Sequence, residues 1–233
     1  MNHRPTRGLR PSAPPRSAAE LLARARALTG RTLDEVAAAL GAPPPRAGLR
    51  GKGKAGQLLE AALGATAGSA AAPDFPDLGV ELKTIPVDER GKPVESTFVC
   101  ALSLADADRA EWRTSVARSK LACVLWVPIA TQPNGPRTIG EPLLWRPTQA
   151  EERALADDFD EIVGRIGAGG VECVDARVGV CMQLRPKAAT GRVRTLAFGP
   201  DGERLATVPR GFYLRASFTA ALLAAPRRLD TPR

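Results

Sequence analysis

Asp74 and the run Glu81-Leu82-Lys83 hold the side chains of this sequence best suited to chemistry. Side chains alternate along a strand, so Glu81 and Lys83 project from one face, and a loop ahead of them can turn the Asp74 carboxylate toward Glu81. Two carboxylates and an ammonium around one point suit a hard divalent cation such as Mg2+, with the Leu82 carbonyl as a further oxygen ligand. A cation held there lowers the pKa of a water and offsets charge on a phosphoryl oxygen, while Lys83 orients the nucleophile or stabilises the pentavalent phosphorus. Those are the parts of phosphodiester hydrolysis. Taken alone, the D-x6-E-x-K spacing is a weak signal, since strands often carry Glu and Lys on a solvated face. Val80, Leu82 and Ile85 are expected on the strand's other side.

Composition narrows the chemistry further. The chain has 233 residues and one histidine, His3, near its start. A Ser-His-Asp triad, a Cys-His dyad and a His-rich zinc site are therefore excluded from the rest of the chain. Cys100, Cys123, Cys173 and Cys181 form no C-x-x-C and sit in apolar runs, so all four are expected to be core thiols of a reducing compartment. A net charge of +8 points to an anionic partner, foremost nucleic acid. Nine basic residues face two acidic ones between Arg185 and Arg228 and would contact phosphates without specifying sequence. The acids Glu151, Glu152, Asp157, Asp158, Asp160 and Glu161 are expected on a solvated face turned from DNA. No apolar stretch approaches a membrane span and no secretory signal is visible, which places the protein in the cytoplasm.

The positioning elements follow from pattern. Residues 1–16 are basic and Pro-rich and read as a disordered tail. Ser17–Glu20 and Thr32–Glu35 are capping boxes that open two helices, and a third spans 55–65. Strands are expected over 78–87, 96–104 and 123–129, and helices over 112–121, 149–166 and 217–225. Two further strands, 171–176 and 180–185, would form a hairpin turned near Gly179. The order implies one α/β or α+β domain over 17–226, followed by a short tail, 227–233.

Longer strings then match a known family. Asp74-Phe-Pro-Asp-Leu-Gly-Val-Glu-Leu-Lys-Thr-Ile-Pro-Val-Asp88, Glu95-Ser-Thr-Phe-Val99, Val124-Leu-Trp-Val-Pro128 and Pro142-Leu-Leu-Trp145 resemble the MutH family of DNA mismatch repair endonucleases. So do Leu184-Arg-Pro-Lys-Ala-Ala189 and Pro209-Arg-Gly-Phe-Tyr-Leu214, in the same order, over residues 17 to 225. The resemblance implies a restriction-endonuclease-like α/β fold, a mixed central sheet flanked by helices, with two arms around a DNA-binding cleft. It implies a monomer that uses Mg2+, as one or two ions, to nick the unmethylated strand of hemimethylated GATC sites 5′ to the G. Activation comes from MutL, itself recruited by MutS.

By the same resemblance the catalytic set is Glu60, Asp74, Glu81, Lys83 and Lys120, with Glu60, Asp74, Glu81 and the Leu82 carbonyl as metal ligands. Without it, Glu60 is an exposed helix residue and Lys120 the end of a helix. The DNA-contacting set is Lys52, Phe98, Arg185, Lys187 and Tyr213, with Tyr213 linked to sensing adenine methylation. Unaided, Arg185 and Lys187 are surface charges, Phe98 a core residue and Tyr213 a half-buried aromatic. The Gly51–Ala55 loop departs from the family by lacking large apolar residues after Lys52, and the basic tail lies outside the family pattern. Two alternatives remain: a GATC-cutting restriction endonuclease that cleaves both strands, and a DNA-binding protein without catalysis.

Overall fold

The computed structural model describes residues 12–45, 53–68, 71–131, 135–188, 190 and 192–224. Most of the expected basic tail, Lys52 and part of the loop after Thr131 lie outside them. Ser12 to Arg16 are held in place: the Ser12 amide donates to the Ala61 carbonyl and the Arg24 guanidinium to the Ala13 carbonyl. The chain divides into two compact units, residues 1–94 with 123–145 and 226–233, and residues 95–122 with 146–225.

The first unit is an α/β layer pair. Ser17 caps α1 (Ala18–Arg26) by accepting the Glu20 amide, although Glu20 reaches back to the Arg16 amide instead of closing a box on Ser17. Thr32 and Glu35 cap α2 (Leu33–Ala39) reciprocally, as their spacing requires. α3 (Lys54–Leu63) ends at Gly64. β1 (Glu81–Val87) pairs in parallel with β3 (Val124–Ala130), which also pairs antiparallel with β4 (Thr138–Ile139) and β5 (Leu143–Trp145). Val124 to Val127 are buried on both faces, the unbroken apolar run that a central parallel strand needs. One sheet face packs Val80, Leu82, Leu125, Val127, Ile129 and Leu144 against Leu21, Leu33, Leu58, Leu59 and Leu63 of the helices. Ile85 is buried but alternates to the side of Glu81 and Lys83, not to that of Leu82 as expected.

The second unit centres on an antiparallel sheet of β2 (Thr97–Leu102), β6 (Met182–Pro186) and β9 (Arg210–Leu214), with β9 in the middle. A hairpin of β7 (Thr195–Phe198) and β8 (Arg204–Thr207) stands beside it in sequence. α4 (Val116–Leu121) follows a turn of 3-10 helix at Trp112–Thr114, so the expected helix over 112–121 is split. The 19-residue α5 (Gln149–Gly167) presents Leu155, Phe159, Ile162, Val163 and Ile166 to the core, where Phe159 stacks on Phe212 with ring centroids 5.0 Å apart. α6 (Ala216–Ala224) ends the described chain.

The expected hairpin turned near Gly179 does not form. Val171–Cys173 is a turn of 3-10 helix, and β6 pairs with β9 instead. Two neighbouring expectations also fail. Cys173 is exposed, whereas Cys100, Cys123 and Cys181 are buried. Asp158 is buried too, because it falls on the apolar stripe three residues after Leu155. Among the described residues no helix is long and apolar enough to cross a membrane.

Candidate functional site

The acidic centre is built by a sharp reversal ahead of β1. Phe75 and Val80 bridge each other through two backbone hydrogen bonds, and Gly79 closes the turn between them with φ +62°. That left-handed conformation is readily available to glycine and strained for most other residues. The reversal lays Asp74 beside the start of β1, where its Oδ2 accepts the Leu82 amide at 2.9 Å. From the other direction, Thr66 and Ala67 donate to the Asp74 carbonyl, which ties the segment after α3 to the same point.

Backbone direction explains why Leu82 is the partner. The Glu81 amide donates across to the Cys123 carbonyl beside β3. Amides and carbonyls of successive strand residues point to opposite edges, so those of Leu82 point to the edge of β1 away from β3. β1 pairs with β3 alone, and that outer edge is the one Asp74 reaches. The Leu82 carbonyl shares it.

On the strand's next face, Lys83 Nζ lies 2.6 Å from Glu81 Oε1, and Glu81 is only 2% exposed. A carboxylate so deeply buried requires a compensating cation, and Lys83 supplies it. In kind the donors fit a hard divalent cation: two buried carboxylates and a main-chain carbonyl, all oxygen, with Lys83 already holding positive charge against one of them. Glu60 stands half-buried on α3. A Cβ placed on Gly56 would lie 3.6 Å from Glu60 Oε1 and 3.9 Å from Thr84 Oγ1, so Gly56 leaves room for that carboxylate beside β1. Thr84 alternates to the Leu82 face, so Glu60 approaches the strand from its helix side. Among the described residues no three Asp, Glu, His or Cys side chains gather closely enough to cage a metal ion. Lys120 belongs to the second unit, half-buried in the last turn of α4, whose first turn Ser115 caps.

The second unit brings the remaining candidates onto one sheet face. Phe98 and Tyr213 are cross-strand partners of β2 and β9, with ring centroids 5.2 Å apart in an edge-to-face pair. Arg185 Cζ lies 5.8 Å from the Tyr213 ring centroid and Lys187 Nζ 4.3 Å from that of Phe98. Both cations are exposed at the end of β6, and Arg185 Nη1 also donates to Ser96 Oγ at 2.7 Å. Gly211, opposite Arg185, makes this packing possible: a Cβ there would meet the Phe98 ring at 2.8 Å. Lys52 lies outside the described residues.

Sequence reasoning missed the residues that hold this face. Asp158 accepts the amides of Val180, Cys181 and Met182 at 2.6 to 2.7 Å and so anchors the start of β6 to α5. Arg215 donates to the carbonyls of Ala176, Val178 and Gly179, and Arg210 to the Val174 carbonyl and the Glu172 carboxylate. Both arginines therefore serve the fold, although sequence counting placed them in the phosphate-contacting excess. The spacing of Asp158 from Leu155 and Phe159 was the available signal.

Comparison with known proteins identifies the family. The family model of the DNA mismatch repair enzyme MutH matches residues 63–158. The DNA mismatch repair protein MutH of Klebsiella pneumoniae (strain 342) is 51% identical over 216 residues, spanning 91% of this chain and 94% of the relative. That of Salmonella newport (strain SL254) is 50% identical over 222 residues, spanning 94% and 96%. At this identity and coverage, with the Asp74–Lys83 segment inside the matched region, the chain belongs to the MutH family of DNA mismatch repair enzymes.

Proposed function

We propose that this mismatch repair endonuclease nicks the unmethylated strand of hemimethylated GATC sites, 5′ to the G, in a Mg2+-dependent hydrolysis. The observation that carries the chemistry is the meeting of Asp74, the Leu82 backbone and the Glu81–Lys83 pair at one end of β1. Asp74, Glu81 and the Leu82 carbonyl would hold the cation, with Glu60 as a further carboxylate. Bound Mg2+ supplies an acidified water and neutralises charge on the phosphoryl group.

The chain's own residues do the rest. Asp74 keeps its position because the Leu82 amide holds its Oδ2. The Lys83 ammonium, next to the reacting centre, orients the attacking water and stabilises charge gathering on phosphorus. Lys120 is assigned a contact to the scissile phosphate, a role for which a compact ammonium suffices.

Sequence reading falls to the second unit. Arg185 presents the fork that pairs with guanine O6 and N7, Lys187 a point charge, and Lys52 a further cation from the first unit. Tyr213 and Phe98 form an aromatic platform, and an N6-methyl group on adenine is rejected sterically by Tyr213. MutL, recruited through MutS, is the proposed activator.

The test is a supercoiled plasmid with unmethylated, hemimethylated or fully methylated GATC sites, incubated with Mg2+ and the purified chain, with and without MutL. Nicked circles from the first two substrates are expected. Linear product would indicate a duplex-cutting restriction enzyme instead. No product with MutL present would remove the catalytic reading.

A further inference from the structure

The sheet face that carries Arg185 and Tyr213 holds one side chain with no evident structural role. Gln183 lies two residues before Arg185 on β6, between Met182 and Leu184, which turn into the core. It pairs in register with Tyr213, which pairs in register with Phe98, so the three form one row across β6, β9 and β2 on the face of the exposed cations. Gln183 is only 7% exposed, and its side-chain amide, bonded to no described residue, keeps a narrow contact with solvent. An amide so far withdrawn from water gains little from the protein around it, and Met or Leu would fill the same space. An amide kept there calls for a partner that arrives later.

We infer that Gln183 is a specificity-determining residue that reads the major-groove edge of an adenine. Its side chain offers one acceptor and two donors. That is the complement of adenine, whose N6–H donates and whose N7 accepts, a pairing geometry that Gln shares with Asn alone. An N6-methyl group pointing into the groove removes the donor hydrogen this carbonyl would use. Gln183 would thus favour the unmethylated base by attraction where its neighbour Tyr213 rejects the methylated one by bulk. Positive and negative selection on one atom suit a discrimination that differs by a single methyl group. The inference rests on the reading that this face meets the GATC site.

The experiment measures affinity, by fluorescence anisotropy, of the full chain and of Gln183→Met for short duplexes. The duplexes carry GATC, a scrambled site, or GATC with 7-deaza-adenine, which lacks N7, or purine, which lacks the 6-amino group. The wild-type chain is expected to lose about five- to a hundredfold in affinity with each analogue. Gln183→Met is expected to bind unmodified GATC as weakly as the wild type binds the analogues, to treat all three alike, and to melt no lower than wild type. A variant that matches the wild type in affinity and in response to the analogues overturns the role of Gln183 while leaving the face's reading intact. So does a wild type indifferent to both analogues, a result that needs no variant to fold. A wild type that binds GATC and the scrambled site equally overturns the reading of the face, and the inference with it.

Discussion

Lys83 and Glu81, two residues apart on one face of β1, form a largely buried ion pair with 2.6 Å between Nζ and Oε1. The carboxylate is the deeper member, so the pair is asymmetric: removing the lysine takes the nearest ammonium from a charge that water barely reaches. Lys83→Met keeps the length of the stem and deletes the cation. It is expected to destabilise the fold by about 3–5 kcal/mol and to abolish nicking. The double variant Glu81→Leu with Lys83→Met should recover most of that stability, since an apolar pair of similar volume replaces the ions, and recover no activity. Urea unfolding of the three proteins measures this, and a Lys83→Met protein as stable as wild type would show that the pair does not bear on stability.

Lys187 and Arg185 are the exposed cations of the platform, yet they are expected to differ in kind. Lys187→Met should weaken DNA binding to every sequence and reduce the slope of log affinity against log salt by about 0.9, the share of one phosphate. Arg185→Lys keeps the charge and loses the fork, so the salt slope should hold while preference for GATC falls by about 1–3 kcal/mol. Titrations at several salt concentrations separate the two, and an unaltered slope in Lys187→Met would remove its phosphate contact.

How far these features could be read in advance depended on whether a local rule decided them. The Thr32–Glu35 box formed because cap and partner lie within one turn. Glu81 and Lys83 share a face because strand alternation leaves no choice. Val171 and Cys173 have the same alternation, yet the backbone there curls, because Gly169 and Gly170 close α5 and the Cys173 amide returns to the Gly170 carbonyl. β9 was not read as a strand, since Gly211 breaks its propensity pattern, and the glycine is explained by the Phe98 ring lying over it. The β7–β8 hairpin carried a signal that was missed, the Gly199-Pro-Asp-Gly202 turn. Arg210 and Arg215 could not be told from DNA-facing arginines by charge, because only tertiary contact shows which carbonyls they hold.

Alkaline stability should report on Cys181. Burial, and then the nearby charge of Asp158, push its thiol up from 9.0 to about 11. The unfolded chain therefore loses this proton first as pH rises through 9, and between pH 9 and about 11 the unfolded state binds fewer protons than the native one. Stability must fall across that window, by an amount on the order of 2 kcal/mol for a shift of this size. Cys181→Ala removes the dependence, so the difference between its urea midpoint and that of the wild type should change between pH 8 and pH 11. A constant difference would mean that Cys181 ionises as freely in the folded protein as in the unfolded one. At pH 8 the exposed Cys173 should be alkylated well before the other three.

Asp158 couples stability to recognition. Its two carboxylate oxygens take three consecutive amides, Val180 on Oδ1 and Cys181 and Met182 on Oδ2, just before the strand that carries Gln183, Arg185 and Lys187. Hydrogen bonds to a charged acceptor are worth about 1.5–3 kcal/mol each, so Asp158→Ala should destabilise the chain by about 4 kcal/mol or more. Asp158→Asn is the finer probe. Its single carbonyl can keep the two Oδ2 bonds, but its NH2 group then faces the Val180 amide, donor against donor. Hydrogen exchange should accelerate at Val180 before Cys181 and Met182 in that variant, and at all three together in Asp158→Ala. DNA affinity should fall in the same order, because the start of β6 loosens while the exposed cations at its far end remain. Glu161→Ala, which loses only the surface pair with Arg165, should leave affinity within the error of measurement. Equal effects of Asp158→Asn and Glu161→Ala would show that β6 holds its place without the carboxylate.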